Sequence, residues 1–258
     1  MGWLERKVRA AATVLLVLGA ICTVAAAMQQ CGSMPEKAAE APLQAESSAL
    51  PLTGWRILVD AGHGGYDGGA RARDSGVWEK HINLAVALKT EKSLVARGAE
   101  VIMTRREDED LCEEERPAAL TKKRQDMQNR VAKAVEGSAD MVLSIHMNEY
   151  RDRSQSGPQV FYRKDADAGR LLAGCLQESL IAALNPRKER AALSGDYFIL
   201  QLEVPSALIE CGFISNPKEE KQLLSAAYQA KVAEAIAGGV EQYVILQQGL
   251  APRWNEAP

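Results

Sequence analysis

From Gly54 onward, short β-rich runs alternate with longer helix-compatible segments, and this alternation constrains the fold more than any other feature of the chain. The strand-like runs fall at Arg56–Asp60, Glu100–Thr104, Met141–His146, Gln159–Tyr162 and Ala207–Cys211. Helical stretches lie between and after them, at Lys80–Arg97, Ala118–Val135, Asp167–Leu184 and Glu219–Leu246. In the first of these, Ile82, Ala85, Val86, Lys89, Leu94 and Val95 approximate one stripe, and Gly98 supplies a stop. Strands separated by helices pair side by side through crossovers, so the pattern predicts an α/β fold. We expect a single domain with a largely parallel, twisted sheet and helices on both faces. A chain of 258 residues, 47% hydrophobic, has material for one such core and additional segments.

The N-terminal part has a different character. Arg6, Lys7 and Arg9 flank an apolar run from Ala10 to Met28. That is the layout of an export signal or of a single membrane-spanning helix, which needs about 20 apolar residues. Residues 1–31 are read as a signal peptide or membrane anchor, with Ala25-Ala26-Ala27 available as a small-residue cleavage site. Residues 32–53, rich in Ala, Pro, Glu and Ser, read as a flexible linker, residues 54–247 as the folded domain and residues 248–258 as a short tail. The body is therefore expected outside the cytoplasm. Five cysteines are too sparse for a disulfide scaffold and are expected as free or buried thiols. A net charge of -3 offers no general electrostatic reason to bind nucleic acid. The acidic run from Arg106 to Pro117 reads as a solvated loop that faces a protein partner more readily than an anionic polymer.

In an open parallel sheet, ligands collect at the carboxyl ends of the strands. His63 follows the first strand, His146 closes Met141–Ile145, and Glu210 ends Ser206–Ile209. Glu79 stands at the entrance of the first helix, where the chain returns from the glycine loop VDAGHGGYDGGA. Two histidines and a glutamate are the ligand set of a catalytic zinc site, with the fourth position left for water. Zinc lowers the pKa of that water to about 7, and a spare carboxylate takes its proton. The predicted site is one Zn2+ per chain held by His63, Glu79 and His146, with Glu210 as the catalytic carboxylate. Each residue alone has a plainer reading: a hydrogen-bonded histidine, a favourable charge in a first helical turn, or an acid buried against an arginine. His81 sits about 200° round the helix from Glu79 and is read as a surface residue. Cys211 should face the opposite side of its strand from Glu210 and enter the core. Arg105 and Arg130 are read as solvated arginines outside the site. A dinucleotide fingerprint is excluded, because Asp67 stands where its third glycine is required.

Five ordered stretches, VDAGHGGYDGGA, WEKHINLAVAL, VIMTR, SIHMNE and ALIECGFISNPKEEKQL, together resemble the zinc-dependent N-acetylmuramoyl-L-alanine amidases over roughly Gly54 to Leu246. The resemblance implies the same assignments: His63, Glu79 and His146 as zinc ligands and Glu210 as the catalytic carboxylate. Ala61 stands where that family usually has proline, and His81 where aspartate is common. The short layout and the stretches VIMTRREDED, KKRQDMQNRV and SGPQVFYRK further resemble the CwlD-type amidases of endospore formers. Those enzymes trim stem peptides from cortex peptidoglycan so that muramic δ-lactam can form.

The resemblance implies a zinc hydrolase that cuts the amide between N-acetylmuramic acid and L-alanine, in peptidoglycan of the wall or of the forespore intermembrane space. It also implies an activating protein partner as an open question. Two other readings use the same residues: a membrane-tethered, non-catalytic peptidoglycan-binding module, and a zinc peptidase acting on wall peptides.

Overall fold

A computed structural model describes residues 50–113 and 120–249. The expected signal or anchor of residues 1–31, most of the linker and most of the tail lie outside the described residues. Among the described residues, no helix is long and apolar enough to cross a membrane. The packed unit already includes the last expected linker residues: Leu52 is fully buried, and its N–H donates to the Arg97 carbonyl at 2.9 Å.

The strands are β1 (Arg56–Ala61), β2 (Glu100–Met103), β3 (Met141–Asn148), β4 (Gln159–Tyr162), β5 (Leu193–Ser194) and β6 (Ser206–Phe213). The helices are α1 (Glu79–Val95), α2 (Lys122–Glu136), α3 (Asp167–Leu184), α4 (Pro217–Leu223) and α5 (Ala226–Gln247), with a 3-10 turn at Phe198–Leu200. The six strands form one sheet in the order β2-β1-β3-β6-β4-β5. Pairings are parallel except that β4 runs antiparallel to β6. The expected α/β fold with a largely parallel sheet is present.

Both faces of the sheet are covered, because successive strand residues point to opposite sides. Ile57, Val59, Leu143, Ile145, Ala207 and Ile209 pack into the main core with residues of α1, α3 and α5. Leu58, Val142 and Leu208 form a smaller core with Ala134 of α2 and with Ile199 and Leu200 of the 3-10 turn. Each fully buried aliphatic side chain contributes about 1.5–3 kcal/mol, so a one-residue register slip, which would exchange the two faces, is strongly disfavoured. The register thereby fixes where polar residues emerge. Asp60, Ser144, His146 and Glu210 lie on the thinner, α2-covered face.

Three local features differ from the sequence expectations. The expected helix Glu219–Leu246 is two helices: the Gln229 side chain donates to the Leu223 carbonyl at 2.8 Å and closes α4 before α5 begins. α4 starts where Asn216 accepts from the backbone N–H groups of Lys218 and Glu219, with Pro217 in the first turn. The two-residue strand β5 was too short to leave a periodic pattern. Val95, placed on the apolar stripe of α1, is 52% exposed at the last turn of that helix.

Candidate active site

The loop after β1 presents His63 with φ +60°, a left-handed conformation that costs a non-glycine residue free energy and needs support. Two buried arginines give that support. Arg105 donates from Nε to the Ala61 carbonyl at 2.8 Å and from NH2 to the Gly62 carbonyl at 3.0 Å. Arg130 donates to the Ala61 carbonyl at 2.9 Å and to the His63 carbonyl at 2.7 Å. Three successive carbonyls are thus held by two guanidiniums. The reading of these arginines as solvated surface residues is corrected: Arg105 is 2% exposed and Arg130 1% exposed. A run of alternating strand and helix does not reveal that a residue just past a strand end turns back under a neighbouring loop.

Arg130 is anchored from below by Asp60, whose Oδ1 accepts from NH1 at 2.6 Å, and by Asp126, whose Oδ2 accepts from Nε at 2.7 Å. Ser144 and Thr104 also donate to Asp60. Burial alone would raise the Asp60 carboxyl, but the Arg130 guanidinium and the Ser144 hydroxyl outweigh it and hold the group below the usual carboxylate range.

Glu79, the first residue of α1, is 3% exposed. Its Oε1 lies 3.3 Å from His63 Nε2 and 3.1 Å from His146 Nδ1. The same oxygen accepts from the Met147 N–H and the Asn83 amide, both at 3.1 Å, while Oε2 accepts from the Ala70 N–H at 2.9 Å. Burial raises its pKa, yet the two imidazoles prevail and hold the carboxylate ionised well below the usual range. Gly62 is required here because a Cβ on it would collide with the His146 ring. One donor atom from each of His63, Glu79 and His146 lies within 4.8 Å of the others. A tetrahedral ion with bonds of about 2.0–2.1 Å spaces its ligands by roughly 3.3 Å, so the imidazole and carboxylate donors fit zinc in chemistry and in spacing.

The other ring nitrogen of His63, Nδ1, lies 3.0 Å from Asp67 Oδ2. Burial lowers the imidazole pKa, but hydrogen bonds to Asp67 and Glu79 push it up to about 9 in the metal-free site. Sequence reasoning passed over Asp67 as the residue that spoiled a glycine fingerprint. Its signal was the spacing of four from His63 inside a loop that turns back on itself.

Glu210 and His146 are register partners across β6 and β3, so both side chains rise from the same face. The Glu210 residue borders a cavity of about 320 Å³ shared with His63 and His146, while its Oε2 atom is buried and has no hydrogen-bond partner. Burial pushes its carboxyl up to about 7, against the lowering effect of the His146 imidazole. Among the described residues, no arginine pairs with it. Cys211 points the other way into the main core, fully buried, and His81 is exposed on α1. Cys112, Cys175 and Cys211 are free thiols.

Residues 57–242 match the N-acetylmuramoyl-L-alanine amidase family. This chain belongs to that family. Among its relatives is the germination-specific N-acetylmuramoyl-L-alanine amidase of Bacillus subtilis, 37% identical over 196 residues, which cover 76% of this chain and 82% of that protein. The N-acetylmuramoyl-L-alanine amidase LytC of the same organism is 32% identical over 75% of this chain and 36% of its own length. Among solved structures, the CwlD amidase of Clostridioides difficile in complex with the GerS lipoprotein superposes with a TM-score of 0.70 at 36% identity, covering 74% of this chain and 99% of that one. The amidase is thus a hydrolase of the CwlD type, and the His63, Glu79 and His146 side chains meet at the carboxyl end of the sheet.

Proposed function

We propose that this amidase is a zinc enzyme that removes stem peptides from spore-cortex peptidoglycan, with His63, Glu79 and His146 as metal ligands and Glu210 as the catalytic carboxylate. One observation carries the reading: His63 Nε2 and His146 Nδ1 converge on Glu79 Oε1, and both imidazoles line the cavity that Glu210 also borders. When bound, zinc supplies Lewis acidity toward the amide carbonyl and makes water a competent nucleophile near neutral pH. His63 and His146 line the cavity, so an ion held with Glu79 would be reached from it. The Glu210 carboxylate, which borders the cavity, would receive the proton of the attacking water and return it to the leaving alanine nitrogen. Asp67 holds the His63 ring in the orientation that aims Nε2 inward.

The cortex assignment is supported by the germination-specific relative, and a protein partner by the relative captured with a lipoprotein. The apolar run Ala10–Met28 supports export and attachment to, or release from, a membrane, with residues 32–53 as tether, 54–247 as catalytic domain and 248–258 as tail. The test is release of peptide from purified peptidoglycan by the zinc-loaded full-length chain, with products identified by mass. Intact stem peptides beginning with L-alanine, lost with chelator, restored by zinc and absent with a zinc-retaining Glu210→Gln variant, are the expected result. A released single amino acid would establish a peptidase instead. Binding without turnover, with and without partner extract, would establish a non-catalytic module.

A further inference from the structure

The cavity over Glu210 does not end at the metal cluster. It continues to the first turn of α2, where Lys123, Met127 and Phe198 border both this cavity and an adjoining hollow of about 360 Å³ that takes in Arg124. One wall of the passage is apolar, and Phe198 is 44% exposed there. The charges that face the passage are mostly committed. All five N–H donors of Arg130 are used, on Asp126, Asp60, Ala61 and His63. Asp126 accepts from Arg130 and from the Leu111 N–H, and Asp67 is bound to His63 and to the Gly69 N–H. Lys122 is turned aside, its ammonium 4.5 Å from the centre of the Tyr66 ring.

Lys123 is different. Its side chain is 69% exposed and its ammonium lies 3.5 Å from Asp67 Oδ2, a long and solvated pair that a better carboxylate can displace. Through Asp67 it stands one residue away from the ring of His63, whose Nδ1 is 3.0 Å from the same oxygen. On a stem peptide, the carboxylate nearest the scissile amide belongs to the residue after L-alanine. An extended chain advances about 3.3–3.6 Å per residue, so that group sits roughly two residue steps, about 7 Å, from the bond to be cut.

We propose that Lys123, with Arg124 beside it, binds the free carboxylate of the second stem-peptide residue, so that the leaving peptide lies over the first turn of α2 and acidic stems are preferred over amidated ones. The inference rests on the amidase reading above. The alanine methyl then faces Met127 and Phe198, and the glycan leaves the cavity on the opposite side.

The test compares two disaccharide-peptides that differ only in whether the second residue carries a carboxylate or a carboxamide. With the zinc-loaded full-length chain, kcat/KM is expected to favour the carboxylate by about fivefold or more, chiefly through KM. In Lys123→Gln and in the Lys123→Gln/Arg124→Gln double variant the ratio falls to about one. An unchanged ratio in the double variant, or equal use of both substrates by the parent chain, overturns the proposal. Calorimetric binding of the two free stem peptides to Glu210→Gln reads the same preference without turnover. If neither substrate is cut but the carboxylate peptide binds more tightly, the carboxylate site stands and the amidase reading falls. Equal binding of the two peptides overturns the site.

Discussion

Asp67 Oδ2 lies 3.0 Å from Nδ1 of His63, on the side of the ring away from Glu79. A carboxylate in that position fixes which nitrogen of an imidazole is free to ligate and raises its donor strength. Replacing Asp67 by Ala is expected to weaken zinc binding by about 10–100-fold while leaving secondary structure intact. Competition with a chromophoric chelator measures it. Affinity within twofold of the parent chain would reduce Asp67 to a loop-turn residue.

The strand–helix alternation carried the fold because burial on two faces of a sheet leaves a strong period, and it carried His63, Glu79, His146 and Glu210 because a parallel sheet concentrates chemistry at its strand ends. The residues that support them were not legible in the same way. Arg105 and Arg130 act on carbonyls of Ala61, Gly62 and His63, 43 or more positions away in sequence, and no local pattern encodes that contact. The antiparallel placement of β4 depends on which edge of β6 is free, which is a tertiary property. Asp67 was passed over even though its loop was expected to carry the ligand His63, because its spacing of four to that histidine was not weighed as a hydrogen-bond pairing.

Arg130 is a buried cation whose removal strands Asp60 and Asp126 and releases the carbonyls of Ala61 and His63. Arg130→Met is expected to destabilise the protein by about 3–5 kcal/mol, measured by urea unfolding at pH 7. The pH dependence gives the sign. Asp60 is held below the ordinary aspartate value in the folded chain, so its contribution is present above about pH 4 and is lost as pH falls through the folded value. The stability gap between parent and variant should therefore narrow on acidification below about pH 4. A gap that widens there would contradict the pairing.

Gly62 lies against the ring of His146, a proposed ligand. Any Cβ at this position meets the His146 ring, so Gly62→Ala must push that imidazole away from Glu79 or move the loop. Overpacking of this kind costs about 1–3 kcal/mol. The expected result is a folded protein whose zinc affinity falls at least about tenfold, with the d–d spectrum of its cobalt form altered. An unchanged cobalt spectrum would show that His146 does not ligate.

Glu210 distinguishes a functional residue from a structural one by the sign of its stability effect. A structural buried acid pairs with a cation, and its removal destabilises; Glu210 Oε2 is buried with no partner, which is a cost to the fold. In the metal-free protein Glu210→Leu is therefore expected to be neutral or stabilising by about 1–2 kcal/mol, while peptide release by the zinc-loaded variant falls by about 10²–10⁴-fold relative to the zinc-loaded parent. Burial raises its pKa from 4.5 to about 7, so the folded chain holds a proton that the unfolded chain releases between these values. Stability of the parent chain is penalised as pH rises through that window, and the advantage of Glu210→Leu should grow from pH 5 to pH 8. Thermal unfolding of both proteins in chelator at the two pH values measures it. A variant that is less stable at pH 8 would mean that Glu210 serves the fold and not the reaction.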